Sequence, residues 1–440
     1  MTAAWSTSTD SAVVPAGAVA RGTVRLPGSK SVTHRAFALA LVARRELVVE
    51  RPLLADDTEL ALAALATLGC DVERRPEAVT IRPADHDPAG GAIDCGNAGT
   101  LLRFLVAITA TIPGRWRLDG VARLRERPVG PLAAALAALG VEIAWEGRAG
   151  FAPLVVHGGE LAGGRVALDA GESSQYLSAL LLAGQRAAGP ITVEATALAS
   201  SPYAELTAEM IRRLGGTVER PSERLWRMRP SALDGGHVEV EPDLSAAAYP
   251  AAAAALTGGD VLLAGVSMSS LQGDRRFLEL LAQMGATVVE EVDGVRVRGG
   301  ELVAIEGDLA DIPDQVPTLA ALAPFARGTT RITNVAQLRV KESDRLAAMA
   351  AELRRAGAEV DELADGLVIP GVWARSEPPS VPVPIDPHGD HRIAMAMALV
   401  GLRRPNLAIR SPRVVTKSWP GFWETLGSLL TPPGGATLAS

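Results

Sequence analysis

The chain has 440 residues, 48% hydrophobic and 21% charged, which fits a folded protein too long for one ordinary core and excludes a disordered or fibrous chain. A net charge of −7 leaves no general basic field for nucleic acid or an anionic membrane, so any anion site must be a local cluster of cations. The only cysteines, Cys70 and Cys95, support neither a disulfide framework nor a structural zinc site and fit a reducing cytoplasm.

In chain order, residues 1–22 show no basic segment followed by an apolar core and are expected to form a loose tail. "GSKSVTHRAFALALVA" at Gly28 predicts a helix that Ser29 can cap, with Lys30, Ser31 and Arg35 on its first turns. "GNAGTLLRFLVAITA" at Gly96 opens a second apolar helix. There Gly96 and Gly99 let backbone approach an anion, and Asn97 and Thr100 add donors. "RLRERPVG" carries Arg123, Arg125 and Arg127 ahead of a further helix, and "GESSQYLSALLLAG" at Gly171 brings Ser173, Ser174 and Gln175 to another helix start. "DLSAAAYPAAAAAL" at Asp243 is too short and too weakly apolar for a membrane span, and Pro250 is expected to interrupt it. "DQVPTLAALAPFA" at Asp314 is followed by "RVKESDR", which gathers Lys341, Glu342 and Arg345, and then by "HGDHRIAMAMALVGL" at His388. His388, Asp390 and His391 are conceivable metal ligands, but their spacing matches no compact metal motif. Taken singly, each stretch also reads as an ordinary cap or a solvated charge run.

Together they repeat. A helix end recurs as "LGCDV" from Leu68, "LGVEI" from Leu139, "LGGTV" from Leu214, "MGATV" from Met284 and "AGAEV" from Ala356, each glycine a candidate cap releasing the chain into a strand. Six polar starts to apolar helices imply six units of roughly 70 residues, divided three plus three near residue 241. The expected domains are 28–241 and 242–440, with 1–27 a tail and a strand belonging to the second. Helices apolar all round suit burial between sheets. Their polar N-termini, gathered on one cleft, would suit a ligand with several negative groups. Lysine occurs only at Lys30, Lys341 and Lys417 among 43 basic residues, so those three positions ask what an ammonium does that a guanidinium cannot.

"LPGSKSVTHRA", "GNAGT", "RERPVG", "SSQYLSALL", "QGDRRF", "RVKESDRL" and "GDHRIAM" occur in that order, and with them the chain resembles the 5-enolpyruvylshikimate-3-phosphate synthases from about residue 20 to 425. The resemblance implies an α/β fold of two domains, each of three βαβαββ units in an inside-out barrel, with the active site in the interdomain cleft. It implies transfer of a carboxyvinyl group from phosphoenolpyruvate to the 5-hydroxyl of shikimate 3-phosphate, by a monomeric cytoplasmic enzyme. Shikimate 3-phosphate contacts would fall on Lys30, Ser31, Arg35, Ser173, Ser174, Gln175, Ser200, Asp314, Gln337 and Lys341. Phosphoenolpyruvate contacts would fall on Lys30, Asn97, Gly99, Arg127, Gln175, Arg345, Arg392 and Lys417. Three positions depart from the family pattern: Gln337 replaces a frequent Asn, Phe104 replaces a common proline, and His34 stands where Asn is usual. Phe104 is expected to shift its helix and reshape the end of the phosphoenolpyruvate pocket.

The reaction explains the residue types. The 5-hydroxyl loses a proton as it adds to C2 while C3 gains one, and phosphate then leaves the ketal as C3 loses its proton. By resemblance Asp314 is the base toward the hydroxyl, Glu342 the acid and base at C3, and Lys30 the acid toward the bridging phosphate oxygen. Lys30 is expected to stand among cations. The arginines clamp carboxylate and phosphate. The chemistry calls for no cofactor and no metal. Gly99→Ala is expected to exclude an inhibitor longer than phosphoenolpyruvate, such as glyphosate, more than the substrate itself. Two rivals are weaker. The enolpyruvyl transferases acting on UDP-N-acetylglucosamine carry a Lys-Asn pair where this chain has Lys30-Ser31, and usually a loop cysteine that is missing here. A catalytically dead metabolite sensor would have lost Asp314, Glu342 or Lys30.

Overall fold

Five helices end as their glycines predict. The computed structural model describes residues 6–7, 10–83, 88–373 and 377–431. In it Gly69, Gly140, Gly215, Gly285 and Gly357 close the helices Asp56–Thr67, Gly130–Ala138, Ser201–Arg213, Arg276–Gln283 and Arg345–Arg355, all with positive φ. The next N–H reaches back five residues each time, as Cys70 to Leu65 and Ala358 to Leu353, both at 2.9 Å. This is the bond of a Schellman end, and an L side chain at the left-handed position would cost about 1–2 kcal/mol.

Among the described residues the strands build six sheets on one plan, a parallel pair and then two antiparallel steps, and one of the six carries a fifth strand. Gly90–Asp94 pairs parallel with Gly114–Asp119, which pairs antiparallel with Leu154–Gly158, which pairs antiparallel with Glu142–Trp145. Gly164–Ala170, Ile191–Leu198, Leu225–Arg229 and Thr217–Ser222 repeat the order, as do Glu306–Asp308, Thr329–Thr333, Gly366–Pro370 and Asp361–Leu363. The helices Gly99–Thr109 and Gln175–Ala183 are the crossovers of their parallel pairs, as a parallel connection requires.

Those helices, with Lys30–Ala43, Leu244–Thr257, Val316–Leu322 and His391–Arg403, carry the polar starts. Beyond their first residues they are buried on nearly every face. Leu244–Thr257 runs straight through Pro250, contrary to the expected interruption. The proline forfeits the bond its own nitrogen would make, while close packing on all sides holds the helix together. Among the described residues no helix is long and apolar enough to cross a membrane.

The chain forms two compact units, Gly28–Glu241 and the described residues on either side of it, each with its own hydrophobic core. In the first, Gly236–Glu239 returns to pair parallel with Leu47–Glu50. In the second, Val19–Arg25 pairs parallel with Asp260–Ala264.

The loose-tail expectation fails where the chain is described; residues 1–5 and 8–9 lie outside the described residues. Ser11–Val13 pairs antiparallel with Leu407–Arg410, Ser6–Thr7 pairs with Ser11–Val13, and Ala12 and Val14 are buried. The sixth sheet therefore takes its outer two strands from the start of the chain. The sequence signal was weak because Ser-Ala-Val offers too short an alternation to be read as a strand.

Candidate active site

In the unit Gly28–Glu241, Ser29 caps the helix Lys30–Ala43, its Oγ accepting from the Val32 N–H at 3.4 Å. That fixes Lys30 on the first turn, where Nζ lies 3.3 Å from Oδ2 of Asp57. Lys30 thus meets a carboxylate from the neighbouring helix Asp56–Thr67. Five residues on, Arg35 is buried and held by neutral groups. Nε donates to Thr207 Oγ1 at 2.7 Å, Nη1 to the Ser31 carbonyl at 2.9 Å, and Nη2 to the Tyr203 carbonyl at 2.9 Å. The rings of Phe104 and Tyr203 lie 5.5 and 5.6 Å from the guanidinium carbon. Burial lowers Arg35 to about 10, only partly offset by Tyr203. It stays charged at neutral pH without a carboxylate partner, an arrangement that attracts an anion.

Gln175 opens the helix Gln175–Ala183, and its amide is oriented at both ends: Oε1 accepts from Arg103 Nη1 at 2.7 Å and Nε2 donates to Thr100 Oγ1 at 2.8 Å. Ser173 and Ser174 are buried beside it, Ser173 Oγ accepting from the Gln175 N–H at 3.3 Å. Ser200 stands just before the helix Ser201–Arg213 in the left-handed region, φ 52°, without a side-chain capping bond. Of the three arginines in "RLRERPVG", Arg123 and Arg125 pair outward with Glu126 and Asp119. Arg127 alone turns in, Nη1 donating to the Asn97 carbonyl at 3.0 Å. A methyl on Gly99 would sit 2.5 Å from Arg127 Nη2. Gly99→Ala therefore displaces a guanidinium first, so a simple size filter for long inhibitors does not follow from the packing. Phe104 leaves its helix, Gly99–Thr109, unbroken, while His34 and Phe104 line one small apolar cavity with Phe37 and Leu101.

In the other unit, Arg345 is buried and fully engaged by acids. Nε donates to Asp390 Oδ2 at 2.7 Å, Nη1 to Asp314 Oδ1 at 2.7 Å and Nη2 to Glu342 Oε2 at 2.8 Å. Arg392 Nη2 donates to the other oxygen of Asp314 at 2.8 Å. Asp390 caps its helix by accepting from the Arg392 N–H at 2.9 Å. Burial would raise Asp314, but Arg392 and Arg345, with Lys341 contributing, hold it well below the usual carboxylate range. Asp390, Glu342 and Asp314 likewise raise Arg345 against its burial. Lys417 ends the turn Pro412–Lys417 and is largely buried. Gln337 spends its amide on the Ala310 carbonyl at 3.4 Å. Of the three conceivable metal ligands, His388 turns to Glu352 and Asp390 to Arg345.

The EPSP synthase (3-phosphoshikimate 1-carboxyvinyltransferase) family profile matches residues 14–426. The chain belongs to the EPSP synthase family. A 3-phosphoshikimate 1-carboxyvinyltransferase of Syntrophobacter fumaroxidans is 47% identical over 409 residues, 92% of this chain and 96% of the relative. One of Methanoculleus marisnigri is 42% identical over 91% of this chain and 94% of the relative. The solved EPSP synthase of Acinetobacter baumannii superposes with a TM-score of 0.78 at 30% identity, covering 96% of this chain and 98% of that one. The two-domain α/β fold of the family follows.

Within this family member, sequence reasoning missed Asp57, Arg103 and Thr207. Arg103 left a signal, a lone guanidinium in an otherwise apolar helix. Asp57 and Thr207 left none, since each reads as an ordinary helix residue until the fold brings it to Lys30 or Arg35.

Proposed function

We propose that the chain transfers the carboxyvinyl group of phosphoenolpyruvate to the 5-hydroxyl of shikimate 3-phosphate, with the two arrays serving one reaction. The observation that carries the reading is the contrast between Arg35, buried in a cage of neutral acceptors, and Arg345 with Arg392, buried against acidic side chains. The first provides standing attraction for an anion. The second provides guanidiniums whose hydrogen bonds an incoming carboxylate or phosphate can take over.

That exchange bears on the base. Asp314 is a poor proton acceptor while two guanidiniums hold it. When phosphoenolpyruvate draws Arg345 and Arg392 to its own charges, the field on Asp314 weakens and its basicity recovers. It then accepts the 5-hydroxyl proton as oxygen adds to C2, while Glu342, which takes up a proton from water once Arg345 has turned to the substrate, delivers that proton to C3. Collapse of the ketal returns the C3 proton to Glu342 as the C2–O bond to phosphate breaks, with Lys30 donating toward the departing oxygen. Arg127, Gln175, Asn97 and Lys417 complete the phosphoenolpyruvate contacts. Ser31, Ser173, Ser174, Ser200, Gln337 and Lys341 complete those to shikimate 3-phosphate. We place the protein in the cytoplasm, as a monomer.

Phosphate release measured with both substrates, and with each alone, tests the reading. One phosphate per carboxyvinyl product is expected, and only with both substrates present. Binding of shikimate 3-phosphate without any release would favour a sensor.

A further inference from the structure

We propose that His388 is a positioning residue, whose bond to the buried Glu352 fixes the 386–390 loop and thereby sets Asp390 and Arg392. The proposal rests on the reading above that Arg392 meets phosphoenolpyruvate.

The helix Arg345–Arg355 grips this loop at two points. Arg345 Nε holds Asp390 at 2.7 Å. Two turns on, along the same face, lies Glu352, which is fully buried. Its Oε2 accepts from the Asp386 N–H at 3.1 Å, and its Oε1 lies 3.1 Å from His388 Nε2. Within the loop, Asp386 Oδ1 accepts from the His388 N–H at 2.7 Å, and the Asp390 N–H donates to the Pro387 carbonyl at 2.8 Å.

His388 has φ 53° and Gly389 follows at φ 68°. Glycine would occupy position 388 with less strain, yet the chain carries a side chain there, and that side chain reaches Glu352. Charge compensation does not require it, because Arg355 Nε already lies 3.2 Å from Glu352 Oε2. What the imidazole adds is a second tether on the loop. The tether matters because Asp390 has no slack. It accepts from Arg345, from Ser343 Oγ at 3.2 Å and from the Arg392 N–H at 2.9 Å, so a shift of the loop moves both guanidiniums.

His388→Gly separates backbone from side chain, since it keeps the turn and removes the tether. Amide exchange at Asp390 and Arg392 is expected to quicken about tenfold, and KM for phosphoenolpyruvate to rise about tenfold, with kcat within about twofold of wild type. His388→Gln, which returns an N–H donor, should recover most of both effects. Unchanged exchange in His388→Gly would overturn the tether. Faster exchange with an unchanged KM would overturn its role in binding. Equal losses for both substrates with a lowered Tm would reduce His388 to a structural residue and overturn the proposal. Failure of the wild-type protein to release phosphate would instead refute the proposed reaction, leaving the tether to be judged by exchange.

Discussion

Lys30 and Arg35 stand on one helix and are held in opposite ways, the ammonium by a carboxylate and the guanidinium by hydroxyls and carbonyls. The difference suits their proposed tasks. Arg35 needs only to remain charged, whereas Lys30 must meet two anions and release a proton, which a guanidinium effectively never does. Lys30→Arg is therefore expected to lower kcat by about 10²-fold or more with an unchanged circular dichroism spectrum. Near wild-type turnover would remove Lys30 from the chemistry. Asp314 makes a second prediction. Its folded-state pKa is depressed, so it contributes stability above its unfolded pKa, and that contribution is lost as pH falls toward the folded value. Between about pH 5 and pH 3 the urea-unfolding free energy of wild type should fall more steeply than that of Asp314→Asn. Parallel curves would contradict the field assigned to the two arginines. These residues were legible because their types and order are unusual; the partners that orient them were not, because Asp57 and Thr207 acquire their meaning only through distant contacts.

At the scale of elements, the glycine ends and polar starts revealed the repeat because each marker has a local cause, a left-handed cap or a helix terminus. The sixth sheet escaped because its outer strands belong to the other end of the chain. Its helix Phe422–Leu429 leads into Leu430–Thr431, which pairs with Val19 and Ala20 instead of forming a hairpin of its own. Ser11–Val13 fills the open place beside Leu407–Arg410. Deleting residues 1–14 should therefore expose that strand edge, lower Tm by several degrees and promote aggregation, as scanning calorimetry and light scattering would show. An unchanged melting curve would restore the loose-tail description. Pro250 gives the complementary lesson: local propensity predicts a break, and burial on all sides overrides it.

For the whole molecule, the repeat gives each unit three buried helices whose polar ends can face a ligand, and both sets are proposed to serve one reaction. Of the residues proposed for it, Lys30, Arg35, Arg127 and Gln175 lie in the unit Gly28–Glu241, and Asp314, Glu342, Arg345 and Arg392 lie in the other. Family and reaction class were readable from motif order alone. The acid cage around Arg345 was not, because Asp314, Glu342 and Asp390 come from three separate stretches of chain. The claim that both units act on the same phosphoenolpyruvate is tested most directly by kcat/KM for that substrate in Arg127→Ala and, separately, in Arg392→Ala. Each should fall about tenfold or more, the scale of losing a charged hydrogen-bond partner. A wild-type value in either variant would contradict the account.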